Sequence, residues 1–161
     1  MQDVRLKGVI SFCIILTIIV IDYFSKQYAL IFDQNYVVNS FITIYKMNNY
    51  GIAFSLFNEL ESVGQLILNI VIFFILVFIA RELFTNLASS NLYLIGLSLI
   101  LGGGSANFID RYDNSAVTDF IILHYKDIYF PAVFNIADLS ISIGAVLIII
   151  YYMSDKVNEV S

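Results

Sequence analysis

The stretch Val63–Ala80 reads VGQLILNIVIFFILVFIA and meets no charge until Arg81-Glu82 closes it. A helix needs about 20 consecutive, mostly apolar residues to cross the hydrocarbon core of a bilayer. Lipid offers no hydrogen bonds, so every backbone N–H and C=O must be satisfied within the segment, which makes the run a helix. Three more stretches share this character: 8–32, 92–109, which ends at Asp110-Arg111, and 134–153. The first follows Arg5 and Lys7, as the core of a cleavable signal peptide would. No small-residue cleavage site comes after it, however, and Asp22 and Lys26 continue the same helical run.

Composition agrees with lipid as the main solvent. Of 161 residues, 60% are hydrophobic and only 13% charged, and mean hydropathy is +0.85. Soluble domains are typically about 45–50% apolar and about 25% charged. A chain this short exposes too much surface to hide the excess in a core. The length fits one integral membrane domain, 1–161. The expected fold class is therefore an all-α membrane protein with four transmembrane helices.

A net charge of -5 with scattered cations argues against nucleic acid, which requires a basic face. Cys13 stands alone in an apolar run, so it forms no internal disulfide and is expected to be a buried, inert thiol. A single histidine is too few for most histidine-based metal sites. No metal or cofactor is expected.

Positive charges favour the cytoplasmic side. Arg5, Lys7, Arg81 and Lys156 fall together if both termini lie in the cytoplasm, with Lys46 and Lys126 opposite. Segments 33–62 and 112–133 are then extracytoplasmic. The first contains Tyr36-Val37-Val38 and Phe41-Ile42-Thr43-Ile44-Tyr45, rich in β-branched and aromatic residues, which predicts a small sheet there. The second carries Asp119, the lone His124 and Pro131.

Ionisable residues at membrane depth are costly and mark functional sites. Asp22 and Lys26 are four apart on one helix face, either as a mutually neutralising pair or as support for a site. Asn107, Asp110 and Arg111 share a face just after Gly102-Gly103-Gly104, a run that lets a neighbouring helix approach closely. An amide and a guanidinium there suit nearby carboxylates. Asn135 and Asp138 open the last helix, where a cap alone explains one polar residue. It does not explain Asp119 arriving just before the same helix entry. Ser105 and His124 do not make a hydrolase pair, because Ser105 sits in the small-residue run and not on a nucleophile elbow. What remains is a carboxylate pair. Two close acids share a proton, and the pair can then activate water and polarise a carbonyl. Paired acids also serve proton relays, so a small proton-coupled transporter using Asp22, Asp119 and Asp138 stays open on these residues alone.

Five motifs follow one another along the chain: Asp22-Tyr23-Phe24-Ser25-Lys26, Asn49-Tyr50-Gly51-Ile52-Ala53-Phe54-Ser55, Gly102–Arg111 (GGGSANFIDR), Val117-Thr118-Asp119-Phe120 and Phe134-Asn135-Ile136-Ala137-Asp138. In this order they resemble the motifs of the lipoprotein signal peptidases, the signal peptidase II family. The resemblance implies an aspartyl endopeptidase with Asp119 and Asp138 catalytic. It implies that Asp22, Lys26, Asn49, Gly51, Asn107, Arg111 and Asn135 bind substrate or support the site. The implied fold adds a small extracytoplasmic β-cradle and a short amphipathic helix to the four spans. The implied substrates are diacylglyceryl-modified prolipoproteins that enter from membrane lipid, cleaved at the outer face of the bacterial cytoplasmic membrane. Globomycin-type cyclic peptides are the implied inhibitors. Tyr23, Ser25, Ile52 and Ala106 depart from the family pattern of Gln, Thr, Ala and Gly. None removes a catalytic group, and Ile52 and Ala106 bear on pocket shape and substrate preference.

Overall fold

The computed structural model describes residues 2–32, 35–51 and 61–160. Four long helices carry the chain: α1 (Gln2–Ala29), α2 (Glu61–Thr85), α3 (Asn91–Asn114) and α4 (Ile136–Val160). All four are long and apolar enough to cross a membrane. Four strands form one antiparallel sheet in the order β1 (Tyr36–Val37), β2 (Ile42–Asn49), β3 (Val117–Tyr125) and β4 (Ile128–Phe134). Ile52 and the rest of the second motif, Ala53-Phe54-Ser55, lie outside the described residues. No short amphipathic helix stands among the described ones.

The expected four spans and small sheet are both present, with differences of detail: α2, α3 and α4 run past their expected ends at 80, 109 and 153. Helix α1 begins before the apolar run and ends at Ala29, because a helix extends through polar residues wherever its backbone can bond to itself. The sheet draws β3 and β4 from 112–133, a segment in which no strand was expected. These strands are rich in β-branched and aromatic residues, Val117–Ile122 and Tyr129–Phe134. The turn between them places Lys126 at φ 53.

Helix α3 is the centre of the bundle. Half of its most apolar window is buried, against none of the α2 window. Its small residues let neighbours come close. A Cβ on Gly103 would run into the Ala137 carbonyl oxygen of α4, and one on Gly144 would lie 2.6 Å from the Gly96 carbonyl oxygen. The Gly-Gly-Gly run therefore packs helices, as the sequence suggested. Leu83, Tyr93, Leu94, Leu97 and Leu101 form the apolar core toward the other end. There the Tyr93 hydroxyl donates to Glu82 at 2.8 Å, joining α3 to α2. Ser140 Oγ donates to the Leu99 carbonyl at 2.8 Å across the α3–α4 contact.

Cys13 corrects an expectation: it is exposed on α1. In a spanning helix an apolar environment is supplied by lipid as readily as by a protein core, so an apolar run does not by itself predict burial.

Gly103→Val tests the α3–α4 approach. The clash with backbone at Ala137 forces the helices apart, with an expected loss of about 1–3 kcal/mol. Detergent-solubilised protein should show a lower Tm, and an unchanged Tm would refute the contact.

Candidate active site

The end of the bundle beneath the sheet holds one connected polar cluster. It begins at α1. Asp22 and Lys26 are only 1% and 5% exposed, and their side chains meet at 2.6 Å. The Lys26 ammonium also reaches Asp110 Oδ2 at 3.2 Å and donates to Asn107 Oδ1 at 3.0 Å. An ammonium has three donors and no acceptor, so all three are used. A buried charge with full partners avoids the penalty of several kcal/mol that an unpaired ion meets.

Lys26 also sets the Asn107 amide, since only its oxygen can face a cation. The Nδ2 end then points to Asp138 and donates to Oδ1 at 2.8 Å. Asp138 sits in the first turn of α4, where the orphan N–H groups must be satisfied. Asn135 is the cap. Its Oδ1 accepts from the Asp138 N–H at 2.8 Å, and Asp138 Oδ2 accepts from the Asn135 N–H at 3.1 Å. This reciprocal pair is a capping box. A third orphan, the Ala137 N–H, donates to Asp22 Oδ1 at 2.8 Å, from the far side of the sequence.

The capping role suggested by the sequence is real, and it leaves groups over for more. The Asn135 amide donates to Asp119 Oδ1 at 2.7 Å and to Asn107 Oδ1 at 3.1 Å. Asn135 thus touches both Asp119 and Asp138. Asp119 arrives on β3, 1% exposed. Its second oxygen accepts from Asn49 Nδ2, at the end of β2, at 2.9 Å. Asn49 is held in turn by the Gly51 N–H, which donates to Oδ1 at 2.9 Å. Gly51 has φ 88, a left-handed conformation that favours glycine.

Burial pushes the Asp119 carboxyl up to about 6, and the charge of Asp138 acts in the same direction. The Asn49 and Asn135 hydrogen bonds and the Lys26 charge oppose the rise. Arg111, near the end of α3, stands beside Asp110, Asp119 and Asp138. Its buried Nε has no hydrogen-bond partner among the described residues.

All nine residues singled out from the sequence are thus at or beside this cluster. One further residue belongs with them. Asp110 accepts from the Thr118 N–H at 2.7 Å as well as from Lys26, and from Asn114 Nδ2 at 2.8 Å. It ties the end of α3 to the residue just before Asp119. The available signal was its place in the third motif, three residues after Asn107. His124 lies elsewhere: Nε2 is 3.0 Å from Thr43 Oγ1, and the ring stacks on Tyr129 with centroids 5.0 Å apart. Hydrogen bonds through the Asn135–Asp138 helix entry gather Asp22, Asp119 and Asp138 into one group, whereas a proton relay across the bilayer needs acids spread over its depth.

The same architecture occurs in two bacterial membrane enzymes solved by the in meso method. One is similar with a TM-score of 0.74 and 28% identity, covering 90% of this chain and 93% of that one. The other gives 0.69 and 26%, covering 92% and 90%. The lipoprotein signal peptidase of Wigglesworthia glossinidia brevipalpis is 38% identical over 142 residues, 84% of this chain and 89% of its own. That of Clostridium tetani is 34% identical over 141 residues, 85% and 88%. Fold and site together define a multi-pass membrane peptidase. Residues 14–154 match the model of the Signal peptidase (SPase) II family. The chain belongs to that family.

A carbon-13 titration of the Asp119 carboxyl tests the electrostatics. Its midpoint is expected near 6. Asp138→Asn removes a like charge and should lower it, whereas Asn49→Ala removes a donor to the carboxylate and should raise it. Shifts of the opposite sign would contradict the geometry.

Proposed function

We propose that the chain is an aspartic endopeptidase that removes the signal peptide from diacylglyceryl-modified prolipoproteins. The observation that carries this is the Asn135 side chain and backbone, which touch Asp119 and Asp138 at once. Family membership supplies the peptidase activity and the substrate class.

Two carboxyl groups in one desolvated cluster cannot both ionise cheaply, so they hold one proton between them. Asp119, pushed up by burial, is the member that keeps it. Asp138 is the general base that takes a proton from water. The water oxygen attacks the scissile carbonyl while Asp119 donates to the carbonyl oxygen. Collapse of the tetrahedral species returns a proton to the leaving amine, and the pair is restored. Lys26, Asn107, Asn135 and Asn49 hold the two acids in place. Among the described residues Arg111 has donor capacity left over, which suits it to a peptide carbonyl. Ala106, 5% exposed, packs within α3 beside Asn107 and affects substrate preference through that position.

The membrane assigned to this reaction is the bacterial cytoplasmic membrane, with both termini inside and the cluster facing out. The charge bias of the loops and termini supports that orientation. The substrate's lipid stays in the bilayer while its cleavage site reaches the cluster laterally. Globomycin-type cyclic peptides would compete for the same position.

The test is processing of a diacylglyceryl prolipoprotein by purified variants. Asp119→Asn and Asp138→Asn should each lower kcat by at least about 100-fold, the lower bound for a lost acid or base. Both variants should keep the wild-type Tm within a few degrees. Native rates in either would refute the assignment. For the wild type, kcat/KM should fall as pH rises past about 6, where Asp119 gives up the shared proton. A profile that rises steadily through that range would oppose it.

A further inference from the structure

The free end of the β3–β4 hairpin carries an apolar surface that the peptidase chemistry does not use. Phe41, Leu123, Tyr125, Ile128, Tyr129 and Phe130 are 41–75% exposed there, around a shallow cavity with His124 and Pro131 on its rim. Phe41 stacks on Tyr125 with centroids 5.7 Å apart. Lys126 at the turn lies 5.5 Å above the Tyr125 ring. A contiguous apolar patch is rarely left against water and marks an interaction surface.

The direction in which this surface looks follows from strand parity. Both register shifts around β3 are taken up by its neighbours: the chain gains one residue on β2 between Ile44 and Met47, and two on β4 between Val133 and Tyr129. β3 itself therefore alternates regularly from Asp119 to Tyr125. Asp119 reaches down to Asn135 at the head of α4. Ile121, Leu123 and Tyr125 share its face, and Ile128 pairs with Tyr125. The face that meets the helix ends at Asp119 continues at Leu123, Tyr125 and Ile128 as an overhang on the same side.

Both legs of the hairpin grow from spanning helices. β3 follows α3 after Ser115-Ala116, and β4 enters α4 through Asn135. Along β4, Phe130 packs on Phe134 with centroids 5.4 Å apart, at the root of α4, a helix that exposes Leu139 and Ile143. The patch is thus carried by a strand that leads directly into a spanning helix. Its content of Tyr, Phe and one Lys is that of residues that settle at the headgroup level.

We propose that this hairpin end is a lipid-binding surface, seated in the interfacial layer of the bilayer beside the bundle. Interfacial elements bury an apolar face about 5–10 Å into the headgroup–acyl boundary. Seating it there anchors the sheet at its free end as well as at its roots, which fixes the depth at which Asp119 meets the membrane.

The chain contains no Trp, so one introduced indole reports alone. Ile128→Trp protein is placed in phosphatidylcholine–phosphatidylglycerol vesicles with and without brominated acyl chains. The expected result is blue-shifted emission, loss of intensity in brominated lipid and poor quenching by aqueous acrylamide. Leu123→Trp, on the same face, should behave alike and covers the case in which position 128 does not accept an indole. Phe74→Trp, 65% exposed on α2, is the bilayer reference. Water-like emission from both hairpin probes, unchanged by brominated lipid while Phe74→Trp is quenched, overturns the proposal. Blue-shift that appears only after a prolipoprotein is added also overturns it, since the surface would then be a polypeptide dock.

Discussion

A single buried cation organises the polar end of this bundle. The Lys26 ammonium is 5% exposed, and an ion placed there without partners would lose several kcal/mol of hydration. Its partners are Asp22 on the same helix and Asp110 and Asn107 on α3. Meeting that demand locks α1 to α3 and orients the Asn107 amide toward Asp138. The carboxylates it recruits have work of their own. Asp22 caps α4 through the Ala137 N–H, and Asp110 receives the Thr118 N–H at the start of β3. Three helices and a strand are thus referenced to one charge. The two carboxyls of the proposed mechanism sit on the last helix and that strand.

The sheet and the bundle solve different halves of the site's problem. A helix N-terminus offers N–H groups and a dipole that favour a carboxylate, which suits Asp138. A strand lying over the bundle delivers Asp119 into a drier place, where burial raises its affinity for a proton. Asn135 belongs to both, since it caps the helix and donates to the strand's acid. An asymmetric pair needs two such environments in contact, and the junction of β4 with α4 is where this chain brings them together.

Much of this was legible in the residues because lipid is an unforgiving solvent. Four long apolar runs had to be helices, and polar residues interrupting them had to have a purpose. Asp22, Lys26, Asn107, Asn135 and Asp138 stood out on that ground alone. The pairings were not legible: Asp22 and Ala137 are 115 positions apart, and their bond arises from helix packing. β3 and β4 were hidden because Asp119, His124, Lys126 and Asp127 break the apolar pattern of a segment otherwise suited to strands. Asp110 read as a neighbour of Arg111, and only the fold shows its bond to Thr118. Cys13 misled because hydropathy reports contact with lipid as well as with a core.

The account stands on one reaction, and identifying its products tests it most directly. Purified protein in vesicles is mixed with a diacylglyceryl prolipoprotein, and the products are read by mass spectrometry. The account predicts a signal peptide that ends at the residue before the lipidated cysteine, and a mature chain beginning at that cysteine. An uncut precursor, or cleavage at a bond unrelated to the lipidated residue, would contradict it.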